Sequence, residues 1–251
     1  MPTQKVDIVF LIDASDSMTP CFEKLKENLK LFLKPLQDAN FTVRYGLLAY
    51  SAGVDDGSVI YRHRGLDTAA GGIGSLYSAN VDENNFFTPD QDVFLRSLAS
   101  IKTAGDEDTP VALDIAADFP FAPIGDSRRA IALFSNEKIE DGVCGTEHLQ
   151  QLNLVLQKIA KRKISLYAYI PGSEAAVGLS RLPKSIIRSV PEGPNCWDNI
   201  DFGALMEAMG KSISVSTLQM TQEPEFQKAI YGQDQWVVAS GVTGQAFSGR
   251  Y

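Results

Sequence analysis

Ile8, Val9, Phe10, Leu11 and Ile12 form an unbroken apolar run near the start of the chain. That is the pattern of a strand buried on both faces of a parallel sheet. Thr19-Pro20 follows as a helix start, with Thr as N-cap and Pro in the first turn. Over residues 22–36 the apolar positions Phe22, Leu25, Leu29, Phe32, Leu33 and Leu36 recur at helical spacing, with Lys and Glu between them. Residues 42–51 read as a strand, and 58–63 as its hairpin partner across a turn-rich Gly53–Gly57 stretch. Further on, 93–101 is helical in pattern, and Pro110 opens a helix carrying Val111, Leu113, Ile115 and Ala116. Ala130 to Phe134 is a second wholly apolar strand. Thr146 caps an amphipathic helix with Leu149, Leu152, Val155, Leu156 and Ile159. Strands follow at 164–170, stopped by Pro171-Gly172, and at 185–190. Asp201 caps a last helix bearing Phe202, Leu205, Met206, Met209 and Ile213.

Strand and helix alternating in this way predict an α/β, doubly wound, mostly parallel sheet with one antiparallel edge strand and helices on both faces. Two stretches break the pattern. Residues 65–91, with Gly71, Gly72 and Gly74, read as a long irregular connection. Those glycines lack the preceding strand and the Gly-Lys-Ser/Thr that a phosphate cradle requires. Residues 219–251 are too short to bury a core of their own. The expected organisation is one domain over 1–218 and a C-terminal extension over 219–251, in which Trp236 to Ala239 suits an edge strand.

The length of 251 residues accommodates such a domain, and the net charge of −8 argues against duplex nucleic acid as a partner. The basic cluster Lys158, Lys161, Arg162 and Lys163 sits at a helix end, where it complements the dipole. Cys21, Cys144 and Cys196 are few, odd in number and not at metal-ligand spacing, so free thiols in a reducing compartment are expected. The N-terminal residues run straight into the first strand without a signal peptide, and no segment is long and apolar enough to span a membrane. The expectation is a cytoplasmic protein. His63 and His148 stand apart and read as surface or packing residues.

The chemistry gathers at Asp13-Ala14-Ser15-Asp16-Ser17, where the first apolar strand ends. One carboxylate and two hydroxyls leave the carboxyl end of a central strand together, at the rim where open α/β sheets bind ligands. Such oxygens suit a hard divalent cation, Mg²⁺ or Mn²⁺. The same residues also suit simpler work: Ser15 and Ser17 as helix caps, Asp13 as a strand terminator.

Asp13-x-Ser15-x-Ser17 after a hydrophobic strand resembles the metal-ion-dependent adhesion site of von Willebrand factor type A domains. Gly105-Asp106-Glu107-Asp108-Thr109-Pro110 resembles that family's second metal loop, whose threonine is a ligand. The resemblance covers roughly residues 5–215 and implies that Asp13, Ser15, Ser17, Thr109 and Asn136 are the metal-site residues. The family normally supplies a Thr-Asp-Gly at the next strand end; here Ser135-Asn136-Glu137 stands there, so Asn136 keeps an oxygen but loses a charge. Glu137 is the alternative carboxylate, one residue further on. The resemblance implies an interaction module in which a partner's Asp or Glu completes the shell of the ion. Cytoplasmic bacterial members resemble TerY-type proteins linked to stress, tellurium resistance and multi-component assemblies. Two other readings stay open: a metal-dependent phosphatase-like hydrolase, and a structural module with a degenerate site. The hydrolase reading lacks the second acid two residues after Asp13, where Ser15 stands, and an enzyme is not expected. The oligomeric state is not legible in the sequence.

Overall fold

Strand β1 (Gln4–Asp13) takes in the whole first apolar run and leads through a short 3-10 turn at Asp16–Met18 into helix α1 (Thr19–Asp38). The computed structural model describes residues 4–52, 59–64, 86–101, 103, 105–124, 126–142, 145–198, 200–218 and 236–239. Then come β2 (Phe41–Ala52), β3 (Val59–Arg64), α2 (Gln91–Ala99) and α3 (Thr109–Ala117). They are followed by β4 (Ser127–Phe134), α4 (Gly145–Lys161), β5 (Ile164–Pro171) and α5 (Glu174–Leu179). Strand β6 (Ser185–Val190), α6 (Phe202–Leu218) and β7 (Trp236–Ala239) complete the described elements. Most of the 65–91 connection, Cys144 and most of the 219–251 extension lie outside the described residues.

Among the described residues, seven strands form one sheet in the order β3-β2-β1-β4-β5-β6-β7. The strands from β2 to β6 run parallel, while β3 and β7 pair antiparallel at the two edges. Because successive side chains alternate faces, β1 feeds two cores. Val6, Ile8, Phe10 and Ile12 pack with α1, α2 and α6. Val9 and Leu11 pack with α3, α4 and α5. Phe10 anchors the first core, edge-on to Phe32 of α1 at 5.7 Å and tilted against Phe94 of α2 at 5.1 Å. On that side α6 lies so close to α1 that a Cβ on Gly210 would overlap the Phe32 carbonyl oxygen.

The chain leaves β1 for β2 on one side and later adds β4 on the other. Strand order therefore reverses between β1 and β4, which opens a crevice at their carboxyl ends. Asp13 closes β1 there, and Ser135, Asn136 and Glu137 follow β4. The fold thus delivers these two segments to one place.

Several local expectations change. Met18, not Thr19, is the N-cap of α1 and makes no side-chain cap bond. The 3-10 turn draws the start forward, and the Thr19 hydroxyl pairs with Thr103 Oγ1 at 2.9 Å. Helix α2 begins earlier than its apolar pattern because Asp90 caps it, accepting from the Asp92 and Val93 amides. Helix α4 starts at Gly145, so Thr146 lies inside it. Helix α5, six residues long, is too short to show a helical period. Asp201 does cap α6, accepting from the Ala204 amide at 2.9 Å. Lys158 and Arg162, at the end of α4, form ion pairs with Asp114 and Asp118 and so tie α4 to α3.

At the opposite end of the sheet, Asp7 is fully buried. Its carboxylate accepts from Arg44 Nε at 2.8 Å, Arg44 Nη2 at 2.9 Å and the Ala122 amide at 2.8 Å. Arg44 also lies over the Phe87 ring, 5.1 Å from its centre. Removing the carboxylate takes from Arg44 its buried ion-pair partner and from the Ala122 amide its acceptor. Asp7→Ala is expected to destabilise the fold by about 3 kcal/mol, the lower end for a broken buried pair because Arg44 keeps some solvent. A urea midpoint unchanged from wild type would contradict this.

Candidate metal centre

Ala14 extends the sheet one step past β1, its amide donating to the Tyr50 carbonyl at 2.6 Å. Asp13 pairs in register with Tyr50 and shares the face of Leu11, so its side chain turns toward α3. It is fully buried. Oδ1 accepts from the Ser15 amide at 2.7 Å, a tight turn that brings Ser15 back beside its own strand end. Oδ2 accepts from Ser135 Oγ at 2.9 Å, which ties β1 to the segment after β4.

From that turn, Ser15 Oγ and Ser17 Oγ lie 3.2 Å apart, and Ser17 Oγ donates to Asn136 Oδ1 at 3.1 Å. Asn136 is fully buried; its backbone carbonyl accepts from the Gly193 amide at 2.9 Å, and its side-chain Nδ2 has no partner. Met18 holds the turn from below. It is buried, and its Sδ accepts from the Trp197 indole Nε1 at 3.4 Å. Three uncharged oxygens thus meet next to one buried carboxylate, and this donor chemistry fits a hard divalent cation.

Thr109 takes a different position. It is the first residue of α3, and its Oγ1 pairs with Tyr50 OH at 2.8 Å. Asp108 caps that helix, accepting from the Val111 amide at 3.4 Å. The structure therefore brings Asp13, Ser15, Ser17 and Asn136 into one hydrogen-bonded chain, with Thr109 attached through the tyrosine beside Asp13. The residue that the sequence reading passed over is Glu107. It is 1% exposed, and neither of its carboxylate oxygens has a hydrogen-bond donor. Its oxygens and those of Asp106 and Glu137 lie within 4.8 Å of one another. Two consecutive acids, Asp106 and Glu107, directly before the capping Asp108 were the available signal, but loops commonly carry acids that face solvent.

Burial pushes the Asp13 carboxyl up to about 6, against the stabilising bonds from Ser15 and Ser135, and the Glu137 charge adds to the rise. Burial also drives Glu107 far above the ordinary carboxylate range, with the Asp13 charge next in effect. Glu137 is raised too, again first by burial. Glu107 and Glu137 are close enough to share a hydrogen bond only if one of them holds a proton.

This arrangement can be set beside known proteins. The family model for the von Willebrand factor type A domain matches residues 7–176. The chain belongs to the von Willebrand factor type A family. No curated protein matches it. Among solved structures, it is similar to a von Willebrand factor type A protein from Catenulispora acidiphila, with 12% identity and a TM-score of 0.52, covering 82% of this chain and 43% of that one. It is also similar to the SpRpn10 VWA domain, with 15% identity and a TM-score of 0.45, covering 69% of this chain and 79% of that one. Domains of this family often mediate protein–protein interaction and commonly bind a divalent metal.

The Asp13 shift has a measurable consequence for the metal-free protein. Between the ordinary value of 3.8 and about 6, the folded state keeps a proton that the unfolded chain has released. Stability therefore falls as pH rises through this window, by roughly 3 kcal/mol for the full shift. In chelator-stripped protein, urea midpoints measured across the window are expected to fall more steeply for wild type than for Asp13→Asn. Parallel curves would contradict the assignment.

Proposed function

We propose that the chain is a metal-dependent protein-interaction module, not an enzyme. A divalent cation, Mg²⁺ or Mn²⁺, is held by Asp13, Ser15 and Ser17, with Asn136 and Thr109 contributing oxygens directly or through water. The observation that carries this reading is the run of contacts from Ser15 Oγ through Ser17 Oγ to Asn136 Oδ1, next to the buried Asp13 carboxylate. Neutral oxygens around one carboxylate leave an ion with net positive charge, and the site lies at the rim of the sheet. Such an ion accepts a carboxylate from outside as a strong, directional ligand. The proposed partner is a protein that offers an Asp or Glu side chain.

Ser15 supports the non-enzymatic reading. It fills the position where an aspartyl phosphatase keeps its acid/base, and its amide is committed to Asp13. A reducing, cytoplasmic setting suits the buried free thiols of Cys21 and Cys196. Among the described residues, no helix is long and apolar enough to cross a membrane. The resemblance to TerY-type proteins extends the proposal to a bacterial stress-response or tellurium-resistance assembly.

Calorimetric titration of Mg²⁺ and Mn²⁺ into chelator-stripped protein tests the metal step. Wild type is expected to bind saturably, and Ser17→Ala to bind about tenfold more weakly or worse. Thr109→Ala should weaken binding less, because its hydroxyl is paired with Tyr50. A short peptide with a single Asp should then bind in Mg²⁺ but not in chelator, and its Asn counterpart in neither. Saturable binding unaffected by Ser17→Ala would sink the proposal.

A further inference from the structure

We propose that Asp106, Glu107 and Glu137 hold a second divalent cation of the Ca²⁺ type, beside the ion assigned to Asp13, Ser15 and Ser17. The assignment does not depend on an ion at Asp13. Each of the three residues offers a carboxylate oxygen, and these oxygens lie within 4.8 Å of one another. Oxygens on opposite sides of one Ca²⁺ are separated by about 4.6–5.2 Å, and adjacent ones by less, so a single ion reaches all three.

Glu107 is the independent observation. Four carboxylate residues are buried among those described: Asp7, Asp13, Glu107 and Asp108. Asp7 accepts from Arg44 and the Ala122 amide, Asp13 from Ser15 and Ser135, and Asp108 from Val111. Glu107 alone of the four has no donor on either oxygen, and its nearest ionisable company is more acid. A buried carboxylate without a donor is costly, and a cation shared with its neighbours removes that cost.

The backbone keeps the group assembled. Glu107 precedes the cap of α3, and Glu137 is fixed by its amide, which donates to Ser135 Oγ at 3.2 Å. The segment after Glu137 then folds back onto the Glu107 loop. A Cβ at Gly142 would stand 2.8 Å from the Glu107 carbonyl oxygen, an approach that only glycine permits. A second ion here also has a consequence for the first. It offsets two of the three negative charges that would otherwise repel an acidic partner beside the first ion.

The experiment is calorimetric titration of Ca²⁺, and of Mg²⁺ in parallel, into the chelator-stripped full chain. The variants are Glu107→Gln, Glu137→Gln and Ser17→Ala, with folding of each checked by circular dichroism. Glu137 is only half-buried, so its variant keeps the test open if Glu107→Gln fails to fold. The expected result is two ions per chain. Glu107→Gln or Glu137→Gln should weaken one of them at least about tenfold and leave the other, which Ser17→Ala weakens in turn. A single ion lost in the glutamate variants but kept in Ser17→Ala would support this site and overturn the one at Asp13. Three results would overturn the second site: one ion weakened by every variant, which means a single enlarged site; one ion weakened by Ser17→Ala alone; and no ion at all, which means that the acids share a proton instead.

Discussion

The structure depends on the seating of one side chain, the Asp13 carboxylate at the carboxyl end of β1. The strand alternates between two hydrophobic cores, so its register decides which helical layer each residue meets. A slip of one residue would turn Asp13 away from α3 and toward the α1 layer. The ladder holds the register beyond the strand itself, through the Ala14 amide on Tyr50 and the Ser135 amide on Tyr169. The Asp13 oxygens are then divided between its own turn and the neighbouring strand, so the site and the β1–β4 junction are one construction.

The acids of the α3 loop change the electrostatics of that site. An isolated carboxylate with two serines would leave a strongly electrophilic ion. Here Asp106, Glu107 and Glu137 crowd the same rim: the Asp13 charge raises the proton affinity of Glu107, and the Glu137 charge raises that of Asp13. Asn136 at the end of β4 fits this setting. An amide there accepts from Ser17 without adding another negative charge to a crowded group.

Most of the fold was legible because the hydrophobic positions of β1, α1, β4 and β5 are paired with long periods or unbroken runs. Asp13 ends one such run, and Ser15, Ser17 and Asn136 follow β1 or β4, so their place at the rim was legible; their grouping as metal-site residues rests on the resemblance to the von Willebrand factor type A motif. What escaped was decided by tertiary contact. Whether Glu107 faces solvent or the interior depends on Asp108 being used as a cap and on the approach of Gly142 from another segment. The pairing of Asp7 with Arg44 depends on strand register, and Thr109 was captured by a tyrosine from β2. Helix α5 offers too few residues for a period, and the start of α1 was shifted by a turn that no pattern of apolar residues encodes.

The support beneath the Ser15–Ser17 turn has a further property. The indole of Trp197 is wholly buried, lies tilted against Phe134 and edge-on to Phe202, and donates to the sulfur of Met18, one residue beyond Ser17. The chain has one other tryptophan, Trp236, which lies on β7, three strands away from β4. A rearrangement of the serine turn would move a polarisable sulfur against an indole shielded from water. The domain therefore carries its own optical reporter, in which the colour and intensity of Trp197 emission follow the state of the rim without any attached dye.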